Sequence, residues 1–182
     1  MNLPEQIPAG GVNRDSLYEQ AADIYGSSLD RLARAYELDP DLRRDLVQEI
    51  HFQLWRSFEH FDQRCSLRTW IYRVAHNVAA GYVIRQRRLK DRLVSIETIE
   101  AMPSNHRGEL AATEAEGLER LSMLIQRLKP LDRQIIISYL EGMDANSIGD
   151  LTGLSPANIS MKVHRIKKIL KCWFGEGGLH AQ

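Results

Sequence analysis

The segment from Asp144 to Lys171 reads DANSIGDLTGLSPANISMKVHRIKKILK and decides how the rest of the chain is read. A short helix carries Ile148 and Leu151 inward, and Gly153-Leu154 makes a sharp turn. Ser155 then caps the orphan amides of a longer helix, whose first turn Pro156 presets. Helical spacing puts Ile159, Val163, Ile166 and Leu170 on its inner stripe. The outer face presents Ser155, Ala157, Asn158, Ser160, Met161, Lys162 and Arg165, with short polar groups near the N-terminus for base edges and cations beyond for phosphates. This is the grammar of a helix-turn-helix, whose second helix lies in the major groove. The same capping would also build an ordinary helical hairpin. The cations Lys162, Arg165, Lys167, Lys168 and Lys171, with no acid among them, turn the reading toward DNA.

Outward from this segment the pattern stays helical: glycines and prolines fall at the ends of apolar-periodic stretches, and no alternating strand is convincing. The fold class is all-α, with two small helical domains joined by a flexible linker. After a loose arm (1–12), a first domain (13–92) opens with a helix from about Asp15 to Tyr36. Its stripe is Leu17, Ala21, Ile24, Leu29, Leu32 and Ala35, and Gly26-Ser27-Ser28 is a point where it bends or splits. Asp39-Pro40 caps the next helix, which carries Leu42, Leu46, Ile50, Leu54 and Phe58 inward and ends near His60. The third helix starts at Ser66 as cap and runs through Trp70, Val74 and Val78 to about Arg92. Periodicity fails over 93–112, the linker. The second domain (113–174) opens with the capping box Thr113 to Glu116 ahead of Leu118, Leu121, Leu124, Ile125 and Leu128. Pro130 breaks that helix. The next carries Ile135, Ile136 and Leu140 and stops at Gly142. The tail (175–182) reads as disordered.

Composition removes several classes of function. The chain has 182 residues, 24 Lys+Arg against 24 Asp+Glu, and two cysteines. No stretch approaches the roughly 20 apolar residues of a spanning helix, and no signal peptide is visible, so membrane insertion is not expected and the place of action is cytoplasmic. Cys65 and Cys172 lack metal-site spacing and read as reduced thiols. The histidines form no metal motif, and neither a nucleophile elbow nor a glycine-rich phosphate loop appears; no catalytic residue, metal or cofactor is expected. The zero net charge hides two basic blocks, one around Arg85, Arg87, Arg88, Lys90 and Arg92 and one on the last helix, separated by the acidic stretch Glu97 to Glu119.

The run Asp45-Leu46-Val47-Gln48-Glu49-Ile50-His51-Phe52 with Trp55, then Phe61-Asp62, then Leu67-Arg68-Thr69-Trp70-Ile71-Tyr72-Arg73-Val74-Ala75-His76-Asn77 resembles the second conserved region of extracytoplasmic-function sigma factors of bacterial RNA polymerase. Asp144 to Lys168 resembles their fourth region. The likeness spans about Asp15 to Phe174. It implies a dissociable promoter-choosing subunit that binds core RNA polymerase at its largest-subunit clamp helices and flap, binds promoter DNA, and is held by an anti-sigma factor.

By resemblance, Asp45, Gln48, Glu49 and Gln53 form the polymerase-docking face. The loop Asp62, Gln63, Arg64, Cys65 and Ser66 rims a pocket for a base of the minus-ten element. Arg68, Arg73, Asn77, Tyr82, Arg85 and Arg88 hold the opened strand, because unstacking a base costs a few kcal/mol and needs compensating contacts. Trp70 reads as core, and Tyr72 fits core or stacking platform equally. The minus-thirty-five face is the outer face of the last helix. Ser160 and Lys162 stand where the family usually has a basic residue and arginine, and lysine lacks the bidentate fork that suits guanine. The linker would thread the RNA exit channel, and its acids would shield the basic surfaces. A self-standing helix-turn-helix regulator remains the alternative, although the first domain offers neither a ligand pocket nor a phosphoacceptor.

Overall fold

The computed structural model describes residues 13–94 and 114–179. The expected arm, the linker beyond residue 94, Thr113 of the capping box and residues 180–182 lie outside them. Among the described residues there is no strand: α1 (Arg14–Tyr36), α2 (Pro40–Ser57), a 3-10 turn (Phe58–His60) and α3 (Leu67–Val94) form an N-terminal half. The C-terminal half consists of α4 (Glu114–Gln126), α5 (Pro130–Leu140), α6 (Ala145–Thr152) and α7 (Pro156–Leu179).

Local chemistry sets the helix starts. The Asn13 side chain accepts the Asp15 amide at 3.2 Å, Asp39 accepts the Asp41 and Leu42 amides at 3.0 Å, and Ser66 accepts the Thr69 amide at 3.1 Å. Each satisfies donors the helix leaves unpaired, worth about 1 kcal/mol per cap. In the N-terminal half Leu29, Leu32, Leu46, Ile50, Leu54 and Ile71 are fully buried between α1, α2 and α3. Burying each such side chain stabilises by roughly 1.5–3 kcal/mol.

Several expected positions differ. The first helix runs unbroken through Gly26-Ser27-Ser28, held by the buried Leu29, Leu32 and Ala33 beyond it. Ile24 is 57% exposed, because the buried line from Ala21 to Leu29 passes through Tyr25, whose ring meets Tyr72 edge-on at 6.4 Å. Leu118 and Leu140 also face outward, at 57% and 53% exposure. On α3 the fully buried line is Ile71, Tyr72, Ala75 and Ala79, whereas Trp70, Val74 and Val78 pack at its edge. Trp70 still serves the core, donating from Nε1 to Ser57 Oγ at 2.9 Å with its ring 5.3 Å from that of Phe61. Tyr72 is wholly buried, which settles it as core. The expected disordered tail begins instead as helix, since α7 continues to Leu179.

The reason α3 is buried beyond one stripe is that the halves touch: α1 meets α4, and α3 meets α5 and α6. Ile135, Ile136, Ile137 and Ser138 of α5 are all buried, so this turn has no solvent face. At the seam the His76 ring, 2% exposed, bonds through Nδ1 to the Tyr36 hydroxyl at 3.0 Å and through Nε2 to the Ser138 hydroxyl at 3.1 Å. A neutral imidazole donates through one nitrogen and accepts through the other, and the two hydroxyls complement either tautomer. The Arg31 guanidinium grips the Glu141 carboxylate at 2.6 and 2.8 Å, closing the rim.

Burial pushes the His76 imidazole down from 6.5 to about 3. The unfolded chain takes up that proton near pH 6.5, so between the two values only the unfolded state is protonated. This contribution to stability is complete above pH 6.5 and is lost as pH falls, by up to about 1.4 kcal/mol per pH unit. Urea unfolding should therefore shift to lower midpoints from pH 7 to pH 5, and His76→Gln should flatten that decline. Parallel declines in both proteins would exclude the imidazole as the source.

Candidate nucleic-acid interface

The α2 face carries Asp45 and Gln48 in solvent, with Glu49 and Gln53 half-buried. Glu49 takes Arg85 Nη2 at 2.6 Å on both carboxylate oxygens. The expected docking face and the expected strand face therefore meet in one ion pair across α2 and α3. The next turn holds a feature that the sequence reasoning passed over. Phe52, 54% exposed, stacks on Trp55 with ring centres 6.4 Å apart, and the Arg14 guanidinium lies 3.6 Å from the Trp55 ring centre. Asp15 accepts the indole N–H at 2.8 Å. The available signal was spacing, since Phe52 follows Gln48 by four residues and Glu49 by three.

The loop Asp62 to Ser66 is open to solvent except at the half-buried Cys65. Asp62 accepts the Arg64 amide at 3.2 Å and pairs with its guanidinium at 3.0 Å. Gln63 sits at φ 60°, a left-handed conformation that costs a non-glycine residue about 1 kcal/mol or more. On α3, Asn77, Arg85 and Arg88 are exposed. Arg68 and Arg73 are half-buried and turned to the other half: Arg68 Nη2 donates to the Glu141 carbonyl, and Arg73 Nη2 donates to the Asp150 carbonyl at 3.0 Å. Tyr82 is not available as a strand contact. It is 5% exposed and its hydroxyl donates to the Leu42 carbonyl at 3.0 Å, joining α3 to α2.

The helix-turn-helix forms as its sequence reads. Asp144 accepts the Ser147 amide at 2.7 Å, and that hydrogen bonding holds its carboxyl below the ordinary value. Gly153 takes φ 77°, and its amide closes α6 on the Gly149 carbonyl at 2.7 Å. Ile159, Val163, Ile166 and Leu170 of α7 are buried. Ser155, Ala157, Asn158, Ser160, Met161 and Arg165 are exposed, with Lys162 half-buried. Ser160 returns its hydroxyl to the Pro156 carbonyl at 3.0 Å. Lys162 Nζ and Arg165 Nη2 each lie 2.9 Å from an oxygen of Asp132 on α5. Among the described residues no His/Cys/Asp/Glu group is arranged to hold a metal, and no helix is long and apolar enough to cross a membrane.

Two family models match the chain: Sigma-70 region 2 over residues 22–89, and Sigma-70, region 4 over residues 118–170. The RNA polymerase sigma factor SigV of Bacillus subtilis (strain 168) is 24% identical over 141 residues, which cover 78% of this chain and 81% of that protein. The ECF RNA polymerase sigma-E factor of Escherichia coli (strain K12) is 31% identical over 121 residues, covering 64% and 59%. The fold is similar to that of CnrH, solved in complex with the cytosolic domain of CnrY, with a TM-score of 0.63 at 18% identity and 90% of each chain covered. It is equally similar to the sigma factor RpoE of Bartonella quintana, solved with the anti-sigma factor NepR, with a TM-score of 0.63 at 20% identity, covering 85% of this chain and 94% of that one. With region 2 spread over α1 to α3 and region 4 over α4 to α7, the chain belongs to the extracytoplasmic-function branch of the sigma-70 family, the sigma factors that direct promoter-specific transcription initiation by RNA polymerase.

Proposed function

We propose that Asp45, Gln48, Glu49 and Gln53 dock on the clamp helices of the polymerase's largest subunit, that the flap receives the C-terminal half, and that the loop 62–66 with α3 captures the minus-ten strand while α7 reads the minus-thirty-five element. The reading is carried by one observation: the docking and reading residues lie on the outward sides of separate helices, α2 and α7, one inside each matched region. The phosphodiester chemistry then belongs to the polymerase. This chain supplies recognition and strand separation, works in the cytoplasm, and is not itself an enzyme. The fold likeness to a sigma factor solved with its anti-sigma factor supports a protein antagonist that covers the docking or DNA surfaces. The domain limits follow the same division, residues 13–92 for polymerase docking and the minus-ten element and 113–174 for the minus-thirty-five element.

Strand capture also demands a change of shape. Arg68 and Arg73 each give Nη2 to a carbonyl of the C-terminal half, so their full set of donors turns to a DNA strand only after the halves part. Dyes on Cys65 and Cys172, one thiol in each half, report that step. Energy transfer between them should fall when core polymerase is added, and unchanged transfer would contradict separation.

Reversing charge with Glu49→Lys should weaken core binding about tenfold without unfolding the chain, because the exposed Glu49–Arg85 pair contributes no more than about 1 kcal/mol. Competition binding with a thermal melt checks both statements, and unaltered core affinity would return this face to solvent. The defining experiment is transcription with purified core polymerase on a pooled promoter library. New RNA starts sharing two spaced upstream elements are expected. Duplex binding without core binding would favour a self-standing regulator.

A further inference from the structure

Asp132 was given no role by the sequence reading, yet it is among the few buried charged residues. It is 7% exposed, sits in the first turn of α5, and lies thirty residues before the first cation it binds. Its two oxygens are divided between two helix positions of α7: Oδ1 accepts from Lys162 Nζ at 2.9 Å and Oδ2 accepts from Arg165 Nη2 at 2.9 Å. Both cations belong to the outer face of the reading helix, and the Arg165 side chain remains 59% exposed while the Asp132 carboxylate is only 11% exposed. The anion is therefore set behind the cations, at the root of the face and out of reach of a groove.

We infer that Asp132 is a positioning residue that sets the specificity of the α7 face without touching DNA; the inference rests on the proposed reading of that face. Two physical effects lead there. Lys and Arg side chains each carry about 2 kcal/mol of rotamer entropy. A carboxylate that holds both stems before DNA arrives removes part of that ordering cost, but only for the geometry it holds. Charge works in the same direction: two cations beside one anion leave one net positive charge at the face. Sequence-independent attraction to phosphates scales with the cations released to it, whereas base recognition depends on where each cation points. Lys162, a point charge without the bidentate fork of arginine, gains directional definition from this partner that it lacks alone.

The test uses holoenzyme assembled from the full chain and core polymerase, on a promoter library randomised at both upstream elements. Asp132→Asn preserves the side-chain volume and removes the charge. Base preferences at the minus-thirty-five positions should shrink about five- to tenfold, while minus-ten preferences stay as they were. Binding of the full chain to random duplex should gain salt dependence, its slope steepening by about 0.9 for each phosphate newly contacted. Asp132→Glu, which keeps the charge, should retain the wild-type salt slope. Fewer starts with unchanged preferences at both elements would assign Asp132 a structural role only and overturn the proposal, as would an unchanged salt slope. If Asp132→Asn fails to fold, Arg165→Gln and Lys162→Gln in the Asp132 and Asp132→Glu backgrounds carry the test: additive effects on minus-thirty-five preference overturn it, and non-additive effects support it. If Arg165→Gln and Lys162→Gln leave those preferences untouched, the reading of α7 itself has failed, which is a different result from independence of Asp132.

Discussion

The middle turn of α5 has protein on every side, and most of the architecture follows from that. A C-terminal half of four helices has few residues with which to build a core, so α5 supplies apolar side chains to α4, α6 and α7 on one side and Ser138 to α3 on the other. Its apolar contacts close the core of its own half. Its polar contact closes the seam. Arg133, in the first turn of the same helix, is buried as well, donating to the Gln126 and Leu128 carbonyls with its guanidinium 5.3 Å from the centre of the Tyr36 ring. The seam is thus lined by groups that must be paired wherever water is excluded, which specifies one register between the halves. Groups of this kind can exchange partners with water or a ligand once exposed, as apolar groups cannot, so a polar seam suits halves that have to separate.

The neutrality of the chain acquires a structural meaning. Six cations assigned to DNA are already engaged within the protein: Arg64 by Asp62, Arg85 by Glu49, Lys162 and Arg165 by Asp132, and Arg68 and Arg73 by carbonyls of the C-terminal half. The acidic linker expected to shield these surfaces lies outside the described residues; within them the shielding anions are the single carboxylates of Asp62, of Glu49 on α2 and of Asp132 on α5. A phosphate therefore competes with a local partner at each site. Discrimination improves when the local partner is displaced only by a ligand of matching geometry.

What the sequence revealed and what it concealed divide by distance along the chain. The caps Asp39, Ser66 and Ser155, and the turn at Gly153, act within three or four residues, and each forms where the pattern placed it; Asp144, which caps α6 over the same short range, was not singled out. The α7 stripe was legible for the same reason, since that helix buries a single face. Ile24, Leu118 and Leu140 were misplaced because helical spacing gives a period and leaves the phase to the neighbours. On α3 the phase was obscured further by burial on two faces, one of which belongs to the other half. Tyr82 was read as a strand contact, yet its hydroxyl closes on Leu42, forty residues earlier. Glu49 with Arg85, and Asp132 with Lys162, are pairs more than twenty-five residues apart that carry no local signature.

The two proposed promoter readers are not equally prepared in this structure. The outer face of α7 lies in solvent, with the Lys162 and Arg165 side chains 28% and 59% exposed, while the Asp132 carboxylate that holds them from behind is only 11% exposed. That face can meet duplex DNA without moving any helix and with Asp132 still holding both cations. The α3 face differs, because Arg68 donates to the Glu141 carbonyl in a half-buried contact with the opposite half, and parting the halves there breaks the His76 to Ser138 bond and exposes the buried imidazole. Parting the halves trades these hydrogen bonds for bonds to water and gives up the buried contact of α1 with α4 and of α3 with α5 and α6, a loss that a weak encounter with duplex DNA does not offset. Opening the seam thus needs the larger interface of a protein partner. On the proposed reading, α7 is open to duplex DNA before docking, whereas strand capture by α3, and with it melting, follows engagement of the polymerase.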